Sequence, residues 1–145
     1  VIGEKVEVSN YALLSSEGVA AYNHGANRIG VLVALNSNSD ESLQAGRDLA
    51  MQVAAMNPIA VDEKAVSQEV KDKELEIGRD IAKQEGKPEE MLDRIAQGKL
   101  KRFFKDNTLM NQSYVKDSSM TVSAFLKSVS PNLEVKSFER FQLGA

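Results

Sequence analysis

The spacing of apolar residues predicts that the chain begins with strands. Across Glu4–Leu14 polar positions alternate with Val6 and Val8, as expected of a strand with one covered face. A turn-forming Ser-Ser-Glu-Gly sequence follows, and Val19–Tyr22 and Arg28–Asn36 are predicted as two further strands. Because three antiparallel strands are enough for an independent sheet, we expect these segments to form one.

A polar turn, Asn23-His24-Gly25-Ala26-Asn27-Arg28, separates the last two of these strands and contains the chain's only histidine. The strand after it is almost entirely apolar from Ile29 to Leu35, so it must be buried. The turn is dense in hydrogen-bonding groups, which are costly to bury. The pattern therefore predicts a rigid strand that presents a polar tip, and such a tip suits a docking surface better than a reaction centre.

A helix is predicted after the loop Ser37–Asp40, which ends in good N-cap residues. Asp40 and Glu41 suit the start of a helix because its N-terminus carries positive partial charge. Apolar residues then recur at helical spacing up to Met56, and Pro58 prevents the helix from continuing. We expect this helix to lie across the sheet.

The segment from Asp62 to Asp106 has a different character, because it holds more than half of the chain's charged residues. It contains two helical patterns, joined by a short Gly-Lys-Pro link that favours an antiparallel hairpin. The apolar stripes of the two helices are narrow, so most of the hairpin is expected to be solvated. Their members are Val66, Val70, Ile77 and Ile81 in the first helix and Met91, Leu92, Ile95, Phe103 and Phe104 in the second.

The remaining residues are predicted to form short elements: brief strands at Thr108–Met110 and Ser113–Lys116, a helix at Thr121–Val129 and a last strand at Val135–Leu143. The whole pattern predicts an α+β fold, a small antiparallel sheet with packed helices and an inserted antiparallel helical hairpin. We expect residues 1–145 to form a single domain, from which 62–106 project as the insertion.

Composition and charge exclude several classes of function. The net charge of -3 argues against broad binding to nucleic acid or to an anionic membrane, because both need a positive surface. The absence of cysteine removes disulfides, thiolate catalysis and cysteine-ligated metals, and it agrees with a cytoplasmic protein. No apolar run approaches the roughly 20 residues that span a bilayer. The first residue is Val1 instead of Met, and we expect the chain to be a fragment of a longer protein.

His24 is the first candidate for chemistry, since a histidine can be a general base, a metal ligand or a partner contact. The chain has no second histidine and no cysteine to complete a metal site, and no carboxylate is close to His24 in sequence. A catalytic pair assembled across the fold and a purely structural role in the turn both stay open. No catalytic residue, metal site or cofactor is predicted, and we do not expect an enzyme.

Other groupings of residues have structural explanations. Gly25 and Gly30 do not match a phosphate-binding loop, and they fit a turn and a closely packed strand. The pair Glu89–Glu90 fits the positive end of a helix, and the pair Asp62–Glu63 lies in a connector. The basic residues of Lys99–Lys105 surround two phenylalanines and resemble a small nucleic-acid patch. Cations at a helix C-terminus and rings that face the core are the favoured explanation, because the same hairpin carries as many acidic residues.

Five segments together resemble bacterial translation elongation factor Ts, and more closely the C-terminal part of its core, the dimerisation domain. They occur in the family's order, with similar spacing, and cover nearly the whole chain. The segments are YNHGANRIGVLVALN (Tyr22–Asn36), DLAMQVAAMNP (Asp48–Pro58), EGKPEEMLDRIAQGKLKRFF (Glu85–Phe104), YVKDSSMTV (Tyr114–Val122) and FERFQLGA (Phe138–Ala145).

The resemblance implies a guanine-nucleotide exchange factor for elongation factor Tu. Members of the family bind that GTPase in its GDP state, weaken its hold on magnesium and GDP, and let GTP enter. The matching part of the family docks on the GTPase's β-barrel domain. The residues that look like contacts lie in the polar turn and in a second patch: Asn23, His24, Gly25, Asn27, Arg28, Tyr114, Val115 and Lys116. Periodicity does not decide whether the second patch is an edge strand or a contact loop.

Two features of the family are absent from this sequence. One is the Thr-Asp-Phe-Val segment that wedges near the GTPase's magnesium site, and the loop after Asn36 reads SNSDES. The other is the N-terminal helical module that grips the nucleotide domain. Alone, the chain is expected to bind weakly and exchange poorly. The alternative is a self-association or protein-interaction module without exchange activity, because the hairpin has apolar seams and family members can dimerise through this region.

Overall fold

The computed structural model describes residues 3–144 and has the predicted α+β class with an antiparallel helical hairpin. The strands are β1 (Gly18–His24), β2 (Ile29–Leu35), β3 (Ser113–Tyr114), β4 (Asp117–Thr121) and β5 (Val135–Gln142). The α-helices are α1 (Asp40–Met56), α2 (Gln68–Gln84), α3 (Leu92–Asn107) and α4 (Val122–Val129). Single turns of 3₁₀ helix lie at Glu63–Ala65, Glu89–Met91 and Leu109–Asn111.

The main sheet has the strand order β1-β2-β5, and both strand pairs are antiparallel. In the first pair Gly18 faces Leu35 and His24 faces Ile29, so residues 25–28 form the hairpin loop. In the second pair Ile29 faces Gln142. The last predicted strand is therefore confirmed, and it takes an edge position beside β2.

The segment Glu4–Leu14 is not a strand, although its alternating pattern predicted one. Its backbone joins no sheet, and Val6 and Val8 are 89% and 84% exposed. The third strand of the sheet is β5 instead. Ser16 attaches the end of the segment to β2, because its hydroxyl donates a hydrogen bond to the Leu35 carbonyl oxygen at 2.6 Å.

Helix α1 covers one face of the sheet, as predicted. The side chain of Ser39 caps its N-terminus by accepting a hydrogen bond from the Ser42 backbone N–H. Leu49 and Val53 are fully buried in one apolar core with Leu35. Burying side chains of this size contributes about 1.5–3 kcal/mol each, so this layer is a main source of stability.

Two contacts fix the position of α1 against the sheet. A Cβ added at Gly46 would lie 2.7 Å from side-chain carbons of Ala20 and Leu35, so only glycine permits this approach. At the other end of α1, Nη2 of Arg140 donates to the Ala54 carbonyl oxygen at 3.4 Å. The last turn of α1 has no basic residue of its own, and Arg140 supplies the positive charge that favours a helix C-terminus.

Helices α2 and α3 form the hairpin, and small residues line their contact. Gly78 and Ala82 of α2 are buried, and a Cβ added at Gly78 would lie 3.0 Å from the Ala96 Cα on α3. The predicted stripe is partly wrong, because Ile77 and Ile81 are 40% and 37% exposed. Small residues take the seam because they let the two helix backbones approach closely.

The hairpin leaves and rejoins the rest of the molecule at neighbouring points. Ala60 and Thr108 form a parallel β-bridge, and the Leu109 N–H donates to the Ala60 carbonyl oxygen at 3.0 Å. The predicted strand Thr108–Met110 is wrong, since it amounts to this one bridge followed by a 3₁₀ turn. A small second core of Ala60, Val66, Leu100 and Phe104 fills the base.

Strands β3 and β4 form a separate two-stranded sheet beside α4. Only the first two residues of the predicted strand Ser113–Lys116 belong to β3. Helix α4 begins one residue later than predicted, because Thr121 is its N-cap and accepts a hydrogen bond from the Ala124 N–H.

Candidate partner-binding site

The loop between β1 and β2 is held in an unusual left-handed conformation. Gly25, Ala26 and Asn27 have φ angles of 61°, 55° and 66°. The Arg28 N–H closes the loop by donating to the carbonyl oxygens of His24 at 3.1 Å and Gly25 at 3.2 Å. Left-handed backbone costs roughly 1–2 kcal/mol for a residue with a side chain, so Ala26 is strained. We call residues 23–28 the hairpin tip, and all of them are exposed.

His24 lies at the start of the hairpin tip and is oriented by a neighbour on the same strand. The Tyr22 hydroxyl lies 3.0 Å from its Nδ1, and the two ring centroids are 5.9 Å apart. Tyr22 packs against the main core, so it is a firm support for the imidazole. Within residues 3–144 no hydrogen bond to Nε2 is found, and that nitrogen is available to a partner.

Within residues 3–144, His24 is not part of a group of metal ligands or of an ion pair. No ion pair of the described residues includes His24. Across residues 3–144 no group of three His, Cys, Asp or Glu side chains could hold a metal ion. What the hairpin tip offers is an exposed imidazole together with amide and guanidinium groups, which can recognise another surface through hydrogen bonds.

The end of β5 supports the hairpin tip from the side. The Leu143 N–H donates to the Arg28 carbonyl oxygen at 2.7 Å. A shallow groove of about 220 Å³ runs beside it and includes Asn27, Gly30 and Phe141. Residues 9 and 10 line the same groove, so part of the N-terminal segment reaches the hairpin tip.

The second predicted patch is the turn between β3 and β4. Tyr114 faces Asp117 across the two strands, which leaves Val115 and Lys116 as the turn residues. Val115 is 43% exposed, and Nζ of Lys116 forms an ion pair with Asp48 of α1 at 2.6 Å. We call Val115 and Lys116 the docking turn. No hydrogen bond or ion pair of the described residues joins the docking turn to the hairpin tip.

Tyr114 does not belong to this exposed surface, and the expectation that its side chain is a contact needs correction. It is 5% exposed, and its ring stacks on Phe125 of α4 with centroids 4.2 Å apart. The aromatic residue of the patch is a core residue because side chains alternate along a strand, so β3 directs it toward α4.

Three pKa values around the docking turn are shifted. Burial and the negative charge of Asp48 raise the pKa of Tyr114. The hydrogen bond to Asp48 raises the pKa of Lys116, since it favours the charged ammonium. The Ser119 hydroxyl and backbone N–H donate to Asp117 at 2.6 Å and 3.0 Å and lower the pKa of that carboxyl group.

Comparison with known proteins decides the family. The model of the family Elongation factor TS matches residues 1–145. The chain belongs to this family. The resemblance drawn from the five segments is thereby confirmed.

Several relatives called elongation factor Ts match the chain along its length. Those of Christiangramia forsetii and Flavobacterium psychrophilum are each 49% identical over 144 residues, which is 99% of this chain and 53% of the relative. That of Amoebophilus asiaticus is 48% identical over 145 residues, with 99% and 52% covered. The chain therefore spans about half the length of these family members.

Three residues that shape the two patches of this family member were missed by sequence reasoning. Tyr22 could have been found, because it lies two positions before His24 and so on the same face of the strand. Gln52 also left a signal, since a polar residue at helical spacing between Leu49 and Met56 interrupts an apolar stripe. Asp48 could not have been found from the sequence, because its partner Lys116 is distant along the chain.

Proposed function

We propose that this chain docks on elongation factor Tu and contributes to guanine-nucleotide exchange in translation elongation. Membership of the elongation factor Ts family supports the partner. The hairpin tip and the docking turn are the proposed contacts, through Asn23, His24, Gly25, Asn27, Arg28, Val115 and Lys116. Because translation takes place in the cytoplasm, we propose that the chain acts there.

The observation that carries the proposal is the geometry of His24. The imidazole is exposed, yet its Nδ1 lies within hydrogen-bond distance of Tyr22, which is partly buried and packs against the core. A side chain held in this way loses little conformational entropy when it binds a partner. Within residues 3–144 no group of three His, Cys, Asp or Glu side chains that could hold a metal ion is found around His24.

The proposed mechanism is thermodynamic linkage and involves no covalent step. An exchange factor accelerates nucleotide release when it binds the nucleotide-free GTPase more tightly than the GDP-bound GTPase. Docking on the β-barrel domain, as the resemblance implies, supplies affinity and orientation. The Thr-Asp-Phe-Val sequence does not occur in residues 1–145, so we propose that this chain alone binds without displacing magnesium efficiently.

Calorimetric titration of elongation factor Tu with the chain tests the proposal. We expect a dissociation constant in the micromolar range, about 1–50 µM, for a contact of this limited size. His24→Ala should weaken binding about tenfold, whereas Gln97→Ala on the exposed side of α3 should not. Absence of binding at about 200 µM chain, a concentration that reveals millimolar-range affinity, would reject the proposed function.

A second candidate is self-association without exchange. Ile77 and Ile81 are one turn apart on α2 and exposed, and Met91 is 42% exposed at the start of the second half of the hairpin. Exposed apolar side chains of this kind favour contact with another protein. Light scattering separates the two candidates, because self-association through the hairpin predicts a dimer that Ile77→Lys abolishes.

A further inference from the structure

Gln52 is a fully buried side chain whose amide bonds to another part of the molecule. It lies within α1 and is 0% exposed. Its Oε1 accepts a hydrogen bond from the Val115 N–H at 2.8 Å, and its Nε2 donates to the Ser113 carbonyl oxygen at 3.0 Å. The orientation of the amide is determined by these partners, because a backbone N–H can only donate and a carbonyl oxygen can only accept.

The amide of Gln52 acts as a substitute for a neighbouring strand. Ser113 and Val115 are two positions apart, and their carbonyl and N–H groups point to the same edge of β3, where a third strand would bond. Among residues 3–144 no strand lies beside that edge, since the β3-β4 sheet is two-stranded. An isolated two-stranded hairpin is marginally stable in water. Helix α4 supports this one through the stacking of Tyr114 on Phe125, and Gln52 adds support at the open edge of β3.

Gln52 is costly at this position unless its amide is used. It belongs to the buried side of α1 together with Leu49 and Val53. An apolar residue of similar size would fill the same space without the penalty of burying an amide, about 1–3 kcal/mol when unpaired. The amide atoms of the Gln52 side chain form their hydrogen bonds with residues 112–115 and not with the backbone of α1.

A second α1 side chain holds the tip of the same turn. Asp48 lies one helical turn before Gln52, and its carboxylate bonds to Nζ of Lys116 at 2.6 Å. Gln52 therefore holds the backbone of the docking turn while Asp48 holds its cation. Together they leave Val115 exposed between them.

We propose that Gln52 is a positioning residue that keeps the docking turn in the conformation recognised by elongation factor Tu. This inference rests on the proposed function. Without the amide, the turn exchanges among several conformations, and the apparent affinity falls in proportion to the fraction that is competent to bind. The loss then lies in the association rate, because the bound conformation and its contacts are unchanged.

Gln52→Met is the decisive variant, and Gln112→Met is its matched control. Methionine keeps the volume and removes the amide. Gln112 is also a buried glutamine, 2% exposed, but its bonds go to Gln52 at 3.3 Å and to the Asp106 carbonyl oxygen at 2.9 Å, and none goes to Val115. Both variants lose the bond between the two glutamines, but only Gln52→Met removes the bonds to Ser113 and Val115.

Stopped-flow association with elongation factor Tu measures the effect, at a temperature where circular dichroism shows both variants folded. We expect Gln52→Met to lower the association rate about tenfold and to change the dissociation rate less than about twofold. Gln112→Met should stay within about twofold of the unsubstituted chain in both rates. Equal association rates for Gln52→Met and the unsubstituted chain would overturn the proposal.

A double substitution tests whether Gln52 acts through the turn. If it does, the effects of Gln52→Met and Lys116→Ala should not add up. The association rate of the double variant should then lie within about twofold of the rate of the slower single variant. Fold-changes that multiply would mean that Gln52 acts elsewhere and would overturn the proposal.

Hydrogen exchange of the Val115 amide gives a readout that does not depend on any partner. In the unsubstituted chain this amide should exchange at least about tenfold more slowly than in an unfolded peptide, and Gln52→Met should remove the protection. An unprotected Val115 amide in the unsubstituted chain would overturn the proposal even if no variant folds. Failure of the unsubstituted chain to bind elongation factor Tu would instead reject the proposed function, and the exchange result would still decide what Gln52 holds.

Discussion

The Tyr22 hydroxyl lies 3.0 Å from Nδ1 of His24, two residues further along β1. Residues at this spacing share one face of a strand, so the contact is built into the strand and needs no loop to form it. Tyr22 is packed against the core while His24 is exposed. Because Tyr22 packs against the core, its contact with His24 restricts the rotation of the exposed imidazole.

Tyr22→Phe is expected to weaken binding to elongation factor Tu about threefold to tenfold, because one lost hydrogen bond costs about 1 kcal/mol and frees the imidazole to rotate. Titration calorimetry measures the change. Tyr11→Phe is the matched control, since Tyr11 is 83% exposed and outside both patches. Unchanged affinity of Tyr22→Phe would show that the orientation of His24 is not used in binding.

The free energy of unfolding is expected to fall as the pH rises above about 10. The pKa values of Tyr114 and Lys116 are both raised in the folded chain. A raised pKa gives stability that is fully present below the unfolded-state pKa and is lost as the pH passes the folded-state pKa. Urea unfolding across the alkaline range measures the loss. Tyr114→Phe should make it less steep, and an equally steep loss would contradict the burial effect.

Gly46→Ala is expected to destabilise the chain by about 1–3 kcal/mol, because the new methyl group would be forced between Ala20 and Leu35. Gly98→Ala is the opposite case. Gly98 lies in α3 with no atom within 4 Å of an added Cβ, so alanine should stabilise the helix by about 0.5–1 kcal/mol. Urea denaturation measures the free energy of unfolding of both variants. A change in the same direction for both would contradict the close approach of α1 to the sheet.

Ala26→Gly is expected to stabilise the chain by about 1 kcal/mol, because glycine adopts the left-handed φ of 55° without a Cβ clash. Ala21→Gly is the control in the extended strand β1, where glycine should destabilise by about 0.5–1 kcal/mol. Thermal unfolding ranks the two variants. Loss of stability in Ala26→Gly would mean that the loop is not strained.

Local patterns predicted the elements that depend on neighbouring residues. The pair β1 and β2 follows from a polar turn between two apolar runs. Helix α1 follows from the N-cap residues that end the loop before it and from Pro58, which prevents the helix from continuing. The predicted sites at the hairpin tip lie on the surface for the same reason, since polar turn groups are costly to bury.

Patterns failed where the answer depends on distant partners. Glu4–Leu14 alternates like a strand, but pairing requires an adjacent edge, and the edge beside β2 belongs to β5 from the other end of the chain. The sequence around Tyr114 suggested an exposed aromatic residue, but in the fold its ring stacks on Phe125. The role of Gln52 could not be predicted either, because its hydrogen-bond partner Val115 is distant in sequence and is brought beside α1 only by the fold.

The bridge between Ala60 and Thr108 holds the two ends of the hairpin next to each other. Bridged strands lie roughly 5 Å apart, so the two ends of the insertion are already adjacent and a very short connector would join them. Matched additions or deletions in α2 and α3 therefore leave the sheet where it is. We therefore expect that the hairpin can differ in length and surface charge without a change in the two patches beyond its base.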